Sequence, residues 1–314
     1  MQLKFLGTSA GRPTKTRNVT SMALCLPEPQ CGFWLFDCGE GTQHRLLHSG
    51  LKLNKMERIF ITHLHGDHLY GLPGLLSSRT YFEGAGPLQL FGPVGLKAYL
   101  ECIFHYSGVH LGYELEIIEV APGVVAADPR FVVEAAELEH RLPCFGYRIM
   151  EQPQLGQLNL AALAGMGIPP GPHYGKLKRG ETVTLEDGRT IAPADVVGPP
   201  LPGRIVTILG DTKPCDNAVL LAKDADLMVH EATFAGGLEE KAANYGHSTF
   251  RQAAEIAREA GAKRLVVTHF SSRYDDAAVQ ELVEDARHIF ANTEAAADLA
   301  EFAIKRPAGE YSGQ

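Results

Sequence analysis

The chain has 314 residues, 45% of them hydrophobic and 21% charged, enough to enclose one large or two ordinary domains around a buried core. Its formal net charge of −8 excludes a uniformly basic protein that coats nucleic acid, so any nucleic-acid contact must come from a local basic surface. The opening MQLKFLGTSAGRP has no long apolar segment, and no later stretch reaches the roughly 18 apolar residues of a membrane span; a cytoplasmic protein with no membrane partner is expected.

Strand-like apolar runs recur along the chain at 3–6, 33–36, 58–62, 88–91, 131–137, 204–209, 227–229 and 264–268, with helix-like stretches between several of them. The pattern predicts a mixed α/β chain with strands early and late. The clearest helix lies in HSTFRQAAEIAREAGAKR. Ser248 or Thr249 can cap it, Phe250, Ala253, Ala254 and Ala257 form its apolar stripe, and Gly261 ends it. The six cysteines form no CxxC pair, so reduced thiols are expected, with Cys38 and Cys144 as small core residues.

Between 152 and 180 the pattern breaks. QPQLGQLNLAALAGMGIPPGPHYGKLKRG is rich in Gly and Pro, holds no Asp or Glu, and ends on Lys176, Lys178 and Arg179. It reads as an insertion leaving the body, either a long surface loop or a functional arm, since structureless loops of this length are uncommon.

The loop after the 58–62 run is THLHGDHLYGLPGLL. Four residues of ligand type, His63, His65, Asp67 and His68, fall within six positions, and imidazole with carboxylate suits zinc. A loop leaving a strand end can turn alternate side chains toward one point, with Gly66 permitting a tight path. More candidates follow other apolar runs: His140 after FVVEAAELE, Asp211 after RIVTILG, and His269 after RLVVT. Asp37, in FDCGE, is either a turn aspartate or a support for the ligand histidines.

HxHxDH followed by a distant His, a Gly-Asp-Thr and a Thr-His resembles the metallo-β-lactamase superfamily. Within it, FLGTSAGRPTKTRNVTS, FDCGEGTQ, THLHGDHLYGLPGLL, GIPPGPHYGKLKRGETV, GDTKPC, HEATF and GHST resemble the ribonuclease Z family of tRNA 3′-processing endonucleases. These stretches cover nearly the whole chain. The resemblance implies an αββα sandwich of two mixed sheets flanked by helices, formed by one domain over 1–314, with a protruding flexible arm at about 152–180 inserted to hold tRNA.

It also implies two Zn²⁺ per chain, other divalent metals being possible. His63, His65 and His140 would hold one, Asp67, His68 and His269 the other, and Asp211 both. Asp37 would support the histidines from behind. Asp67 would be general base, and His247, oriented by Glu231, the proton donor. The implied reaction cuts precursor tRNA after its discriminator nucleotide, leaving a tRNA 3′-hydroxyl and a trailer 5′-phosphate, and the family usually works as a homodimer. Lys176, Lys178 and Arg179 would meet tRNA phosphates, with Lys15 and Arg17 near the cleavage point. Two other readings stay open: a small-molecule hydrolase of the same superfamily (thioesterase, lactonase or sulfatase), and a non-enzymatic RNA-binding protein with structural zinc.

Overall fold

The computed structural model describes residues 1–28, 31–154 and 156–306, so residue 155 of the expected arm and residues 307–314 of the expected domain lie outside the described residues. The chain divides into two compact units, Met1–Ile149 with Ile205–Ile304, and Met150–Arg204 with Lys305 and Arg306.

The first unit is built on two sheets. One contains β1 (Gln2–Gly7), β2 (Ser21–Cys25), β3 (Phe33–Phe36), β4 (Met56–Phe60), β5 (Leu88–Gly92), β6 (Leu115–Glu119) and β16 (Glu301–Ala303), in the order β16-β1-β2-β3-β4-β5-β6. The strands from β3 to β6 run parallel, while β16, β1, β2 and β3 pair antiparallel. The other contains β7 (Gly123–Ala127), β8 (Phe131–Leu138), β9 (Cys144–Glu151), β12 (Ile205–Ile208), β13 (Leu227–Glu231), β14 (Leu265–Thr268) and β15 (Thr293–Ala295), in the order β15-β14-β13-β12-β9-β8-β7. Here the strands from β12 to β15 are parallel and β7 pairs antiparallel with β8.

The central strands β2, β3, β13 and β14 are buried on both faces and are continuous, largely apolar runs, while β8 nearer the edge alternates. The inner faces meet in a core that includes Leu3, Phe5, Trp34, Phe36 and Phe60 from one sheet with Phe131, Tyr147, Val206, Val229 and Val266 from the other. Phe60 stacks on Phe36 at 5.0 Å and on Phe91 at 4.8 Å. Burying one such ring contributes about 1.5–3 kcal/mol.

Helices cover the outer faces. α1 (Thr42–Ser49), α3 (Leu72–Arg79) and α4 (Leu96–Ser107) pack on the first sheet through Leu46, Leu72, Leu75, Leu76, Leu96 and Leu100. The second is covered by α8 (Asp216–Ala222), α10 (Phe250–Glu259) and α11 (Asp276–Arg287). The order helix, sheet, sheet, helix is the expected αββα sandwich. α10 matches its sequence signals: Thr249 caps it with Gln252 closing the box, and Phe250, Ala253, Ala254 and Ala257 are buried. Cys38 and Cys144 are fully buried in the cores. Among the described residues no helix is long and apolar enough to cross a membrane.

The second unit differs from a flexible excursion ending near 180. It carries α5 (Leu160–Gly165), α6 (Pro172–Lys178), a hairpin of β10 (Val183–Thr184) and β11 (Thr190–Ile191), and α7 (Pro193–Val196). Leu163, Ile168, Leu177, Val183, Ile191 and Val196 form its own small core. Half of that core comes after position 180, so the unit needs the whole span from Met150 to Arg204 to close. At its root Glu151 accepts from Arg204 Nε at 2.7 Å and Nη2 at 2.8 Å, and from Arg306 Nη2 at 2.6 Å.

Candidate metal centre and active site

The ends of the strands in both sheets of the first unit carry the candidate site. Asp37 follows β3, His63 follows β4, and Asp67 and His68 lie on the short helix α2 (Gly66–Leu69) that opens after it. His140 follows β8, Asp211 follows β12, Glu231 ends β13, and His269 follows β14. Asp37 at φ 56° and His269 at φ 60° have left-handed backbone, where Asp and His are tolerated better than most residues. That turn at a strand end is a form of local strain that functional sites hold. Gly39 is required beside it, because a Cβ there would stand 2.2 Å from the Asp67 carbonyl oxygen.

All seven expected ligand residues meet. Ligand atoms of His63, His65, His140 and Asp211 lie within 4.8 Å of one another, as do those of Asp67, His68 and His269. Asp211 joins the two sets, its Oδ2 lying 3.7 Å from His63 Nε2, 3.5 Å from His68 Nε2 and 3.4 Å from His269 Nε2. His63, His68, Asp211 and His269 are buried, while His65, Asp67 and His140 are partly open.

The outward nitrogens are held by acceptors. His68 Nδ1 donates to Asp37 Oδ2 at 2.7 Å, and His140 Nδ1 to the Gly246 carbonyl at 2.7 Å. His63 Nδ1 lies 3.0 Å from Thr62 Oγ1, and His269 Nδ1 lies 3.0 Å from Thr233 Oγ1. Protons placed there leave Nε2 lone pairs pointing inward. His68 Nε2 stands 3.2 Å from His269 Nε2, and His63 Nε2 stands 2.9 Å from His65 Nδ1. Lone pairs this close repel unless a positive charge lies between them.

The electrostatics make the same demand. Burial opposes a charge on His68, yet the carboxylates of Asp211, Asp37 and Asp67 outweigh it and push its pKa well above the usual value. Burial opposes ionising Asp67 and Asp211 as well, but the surrounding histidines prevail and hold both carboxyls below the usual range. His63 is lowered by burial and then by His68, while His65 and His140 are lowered chiefly by burial. His63, His65 and His140 are held neutral and Asp67 and Asp211 ionised, while the positive charge drawn onto His68 stands where a divalent cation would supply it, so the residues present fit such an ion.

Asp67 Oδ2 also accepts the Gly11 N–H at 2.6 Å, and His269 Nε2 is 3.3 Å away. Glu231 Oε1 accepts from His247 Nδ1 at 2.9 Å. Burial alone would lower His247; the Glu231 and Asp211 carboxylates overcome it and raise its pKa to about 9. His247 also forms a possible ligand group with Asp211 and His269, but the nitrogen facing Asp211 at 3.8 Å is Nδ1, which Glu231 occupies. Adjacent His230 is buried with its Nδ1 bonded to the Glu231 carbonyl, a core position.

A cleft of about 350 Å³ opens over these residues. Its lining includes His65, Asp67, Asp211, His247 and His269, and also Lys241, Tyr245 and Arg273, which the sequence pattern did not single out. The GTSAGRP and HEATF stretches contain Gly11 and Thr233, so a signal for both existed. Among the expected substrate contacts, Lys15, Lys176, Lys178 and Arg179 are exposed, although Arg179 pairs with Glu181 at 2.9 Å. Arg17 is a correction. It is 7% exposed, donates to the Tyr274 carbonyl at 2.9 Å, pairs with Asp276 and lies over the Phe270 ring at 5.2 Å. The guanidinium ties its loop to the chain after His269.

Comparison with known proteins agrees with this geometry. Residues 174–270 match the family model described as "Beta-lactamase superfamily domain", and residues 1–103 match that of "Anti-Pycsar protein Apyc1". The chain is 56% identical over 306 residues to a protein named Ribonuclease Z from Bacillus licheniformis, covering 98% of this chain and all of the relative. It is 52% identical over 305 residues to a protein named Ribonuclease BN from Escherichia coli, covering 97% of this chain and all of the relative. The crystal structure of the short form of human tRNase Z superposes with a TM-score of 0.70 at 30% identity, covering 97% of this chain and all of that one. With full-length relatives at this identity on the same two-sheet scaffold, the chain belongs to the ribonuclease Z family of metallo-β-lactamase-fold hydrolases.

Proposed function

We infer that the protein is a zinc-dependent endoribonuclease that removes the 3′ trailer from precursor tRNA, cutting after the discriminator nucleotide. The observation that carries this reading is the placement of the His247–Glu231 pair beside two sets of metal-ligand side chains in a member of the ribonuclease Z family. His63, His65 and His140 would hold one Zn²⁺, Asp67, His68 and His269 a second, with Asp211 shared. Bound there, divalent cations supply Lewis acidity to a phosphodiester and lower the pKa of water.

The chain's own groups manage the protons. Asp67, oriented by the Gly11 N–H, lines up the attacking water and takes its proton. As the P–O3′ bond breaks, the departing ribose oxygen takes a proton from His247, whose Nδ1 is engaged with Glu231 and whose Nε2 remains as the donor. The phosphate stays with the trailer as a 5′-phosphate, and the tRNA is left with a 3′-hydroxyl.

The names of the relatives support tRNA as substrate, and the exposed Lys15, Lys176, Lys178 and Arg179 supply local cations for its phosphates. We further infer a homodimer working in the cytoplasm, on the family resemblance. The test is incubation of the metal-loaded protein with a trailer-bearing precursor tRNA and, separately, with thioester, lactone and sulfate-ester substrates. Cleavage of the tRNA alone fits this reading; hydrolysis of a small substrate with the tRNA untouched favours the small-molecule hydrolase.

A further inference from the structure

Two clusters on the two sheets repeat one arrangement. On the first, Thr62 donates to Asp37 twice, from its backbone N–H to Oδ1 at 2.7 Å and from its hydroxyl to Oδ2 at 2.9 Å, while His63 Nδ1 lies 3.0 Å from the same hydroxyl. On the second, Thr233 donates to Glu231 Oε2 twice, from its N–H at 2.9 Å and from its hydroxyl at 2.7 Å, while His269 Nδ1 lies 3.0 Å from that hydroxyl. Both threonines and both carboxylates are buried. Each cluster spans neighbouring parallel strands, β3 with β4 and β13 with β14.

A hydroxyl has one hydrogen to give. Thr62 spends it on a carboxylate, so its lone pair accepts the His63 Nδ1–H. Thr233 Oγ1 has two acceptors within reach, Glu231 at 2.7 Å and the His269 carbonyl at 3.1 Å, and the shorter, charged one takes the hydrogen. Its lone pair is then left for the His269 Nδ1–H. Each carboxylate also receives a second histidine directly, Asp37 from His68 and Glu231 from His247.

We propose that Thr62 and Thr233 are equivalent positioning residues, whose hydroxyls fix the tautomer and ring orientation of the metal-ligand histidines His63 and His269, so that each buried carboxylate sets two histidines. Glu231 then serves the proton donor His247 and, through Thr233, a metal ligand. This rests on the metal-dependent reading above. The expected consequence is separable: Thr62 acts on the ion held with His63, and Thr233 on the ion held with His269.

Zinc affinity measured by competition with a chromogenic chelator tests it without reference to turnover. Thr233→Val keeps the volume and removes the hydroxyl, and should weaken one of two zinc ions by about 10-fold or more. Thr233→Ser restores the hydroxyl and should bind within a few-fold of wild type. In a His269→Ala background, Thr233→Val should add no further loss, because the residue it positions is gone. Thr62→Val and Thr62→Ser should behave alike toward the other ion. If Thr233→Val does not fold, Thr233→Ala is read in the same assay. Wild-type affinity in the Val or Ala variants, equal loss in Ser and Val, or a loss that persists without His269 overturns the proposal. A wild-type chain that loads no divalent metal overturns the metal-dependent reading itself, and the proposal with it.

Discussion

Glu231 Oε1 lies 2.9 Å from Nδ1 of His247, and that contact decides the proton carried by the imidazole. The carboxylate raises the His247 pKa to about 9 against the opposing effect of burial, so the donor form persists through neutral pH. On the proposed role of His247 as proton donor, kcat/KM should hold through neutral pH and decline as pH rises through about 9. Glu231→Gln removes the charge that raises the pKa and should move this decline to lower pH. His247→Ala should retain its metal, lose about 10²–10⁴-fold in turnover and lose the alkaline limb. A zinc lost with His247, or an unchanged limb in Glu231→Gln, would contradict the assignment.

Asp67→Asn preserves shape while removing the charge of the proposed base and proposed metal ligand. A metal-replete variant should cleave about 10²–10⁴-fold more slowly with its fold intact by circular dichroism. Wild-type turnover at full metal content would remove Asp67 from the proton path.

How much of this was legible depends on how local each signal is. His63, His65, Asp67 and His68 sit within six positions, and His140, Asp211 and His269 each follow an apolar run, so ligand chemistry and strand ends could be read together. Arg17 could not be placed this way. Its partners Tyr274 and Asp276 are 257 and 259 residues away, and only the fold brings them together. β2 was missed because SMALC is buried at four of its five positions with weak β-propensity and no alternation to mark a strand. The sequence marks an inserted arm at about 152–180 but not its internal fold, because its helices are short and Gly and Pro punctuate them, and its small core is assembled from single apolar residues spread from Leu163 to Val196.

The burial of Arg17 separates it from Lys15. Arg17→Met should lower the melting temperature and leave RNA affinity per folded chain unchanged. Lys15→Ala should do the reverse, since an exposed lysine contributes to phosphate binding and little to stability. Both effects are read by thermal melting beside RNA titration. Reduced RNA affinity in a fully folded Arg17→Met chain would return Arg17 to the substrate.

The second unit can be removed at its root. The Glu151 N–H bonds the Arg204 carbonyl at 2.8 Å, so a short Gly-Ser linker can replace 152–203, whereas cutting only 152–180 would strand Val183, Ile191 and Val196. All seven proposed ligand residues lie in the other unit. The shortened chain should keep its metals and its hydrolysis of a small phosphodiester, yet lose most cleavage of precursor tRNA. Charge reversal at Lys176 and Lys178 should reduce the slope of log affinity against log salt by about 2. Equal loss on both substrates with metal retained would mean that the unit supports the active site instead.

The central claim is tested most directly by mapping the product ends from a precursor tRNA with a 3′ trailer, cut by the zinc-loaded protein. The predicted result is one cut after the discriminator nucleotide, with a 3′-hydroxyl on the tRNA and a 5′-phosphate on the trailer, abolished by chelation and restored by zinc. An intact precursor in the presence of fully loaded protein, or a cut that leaves the phosphate on the tRNA, would contradict it.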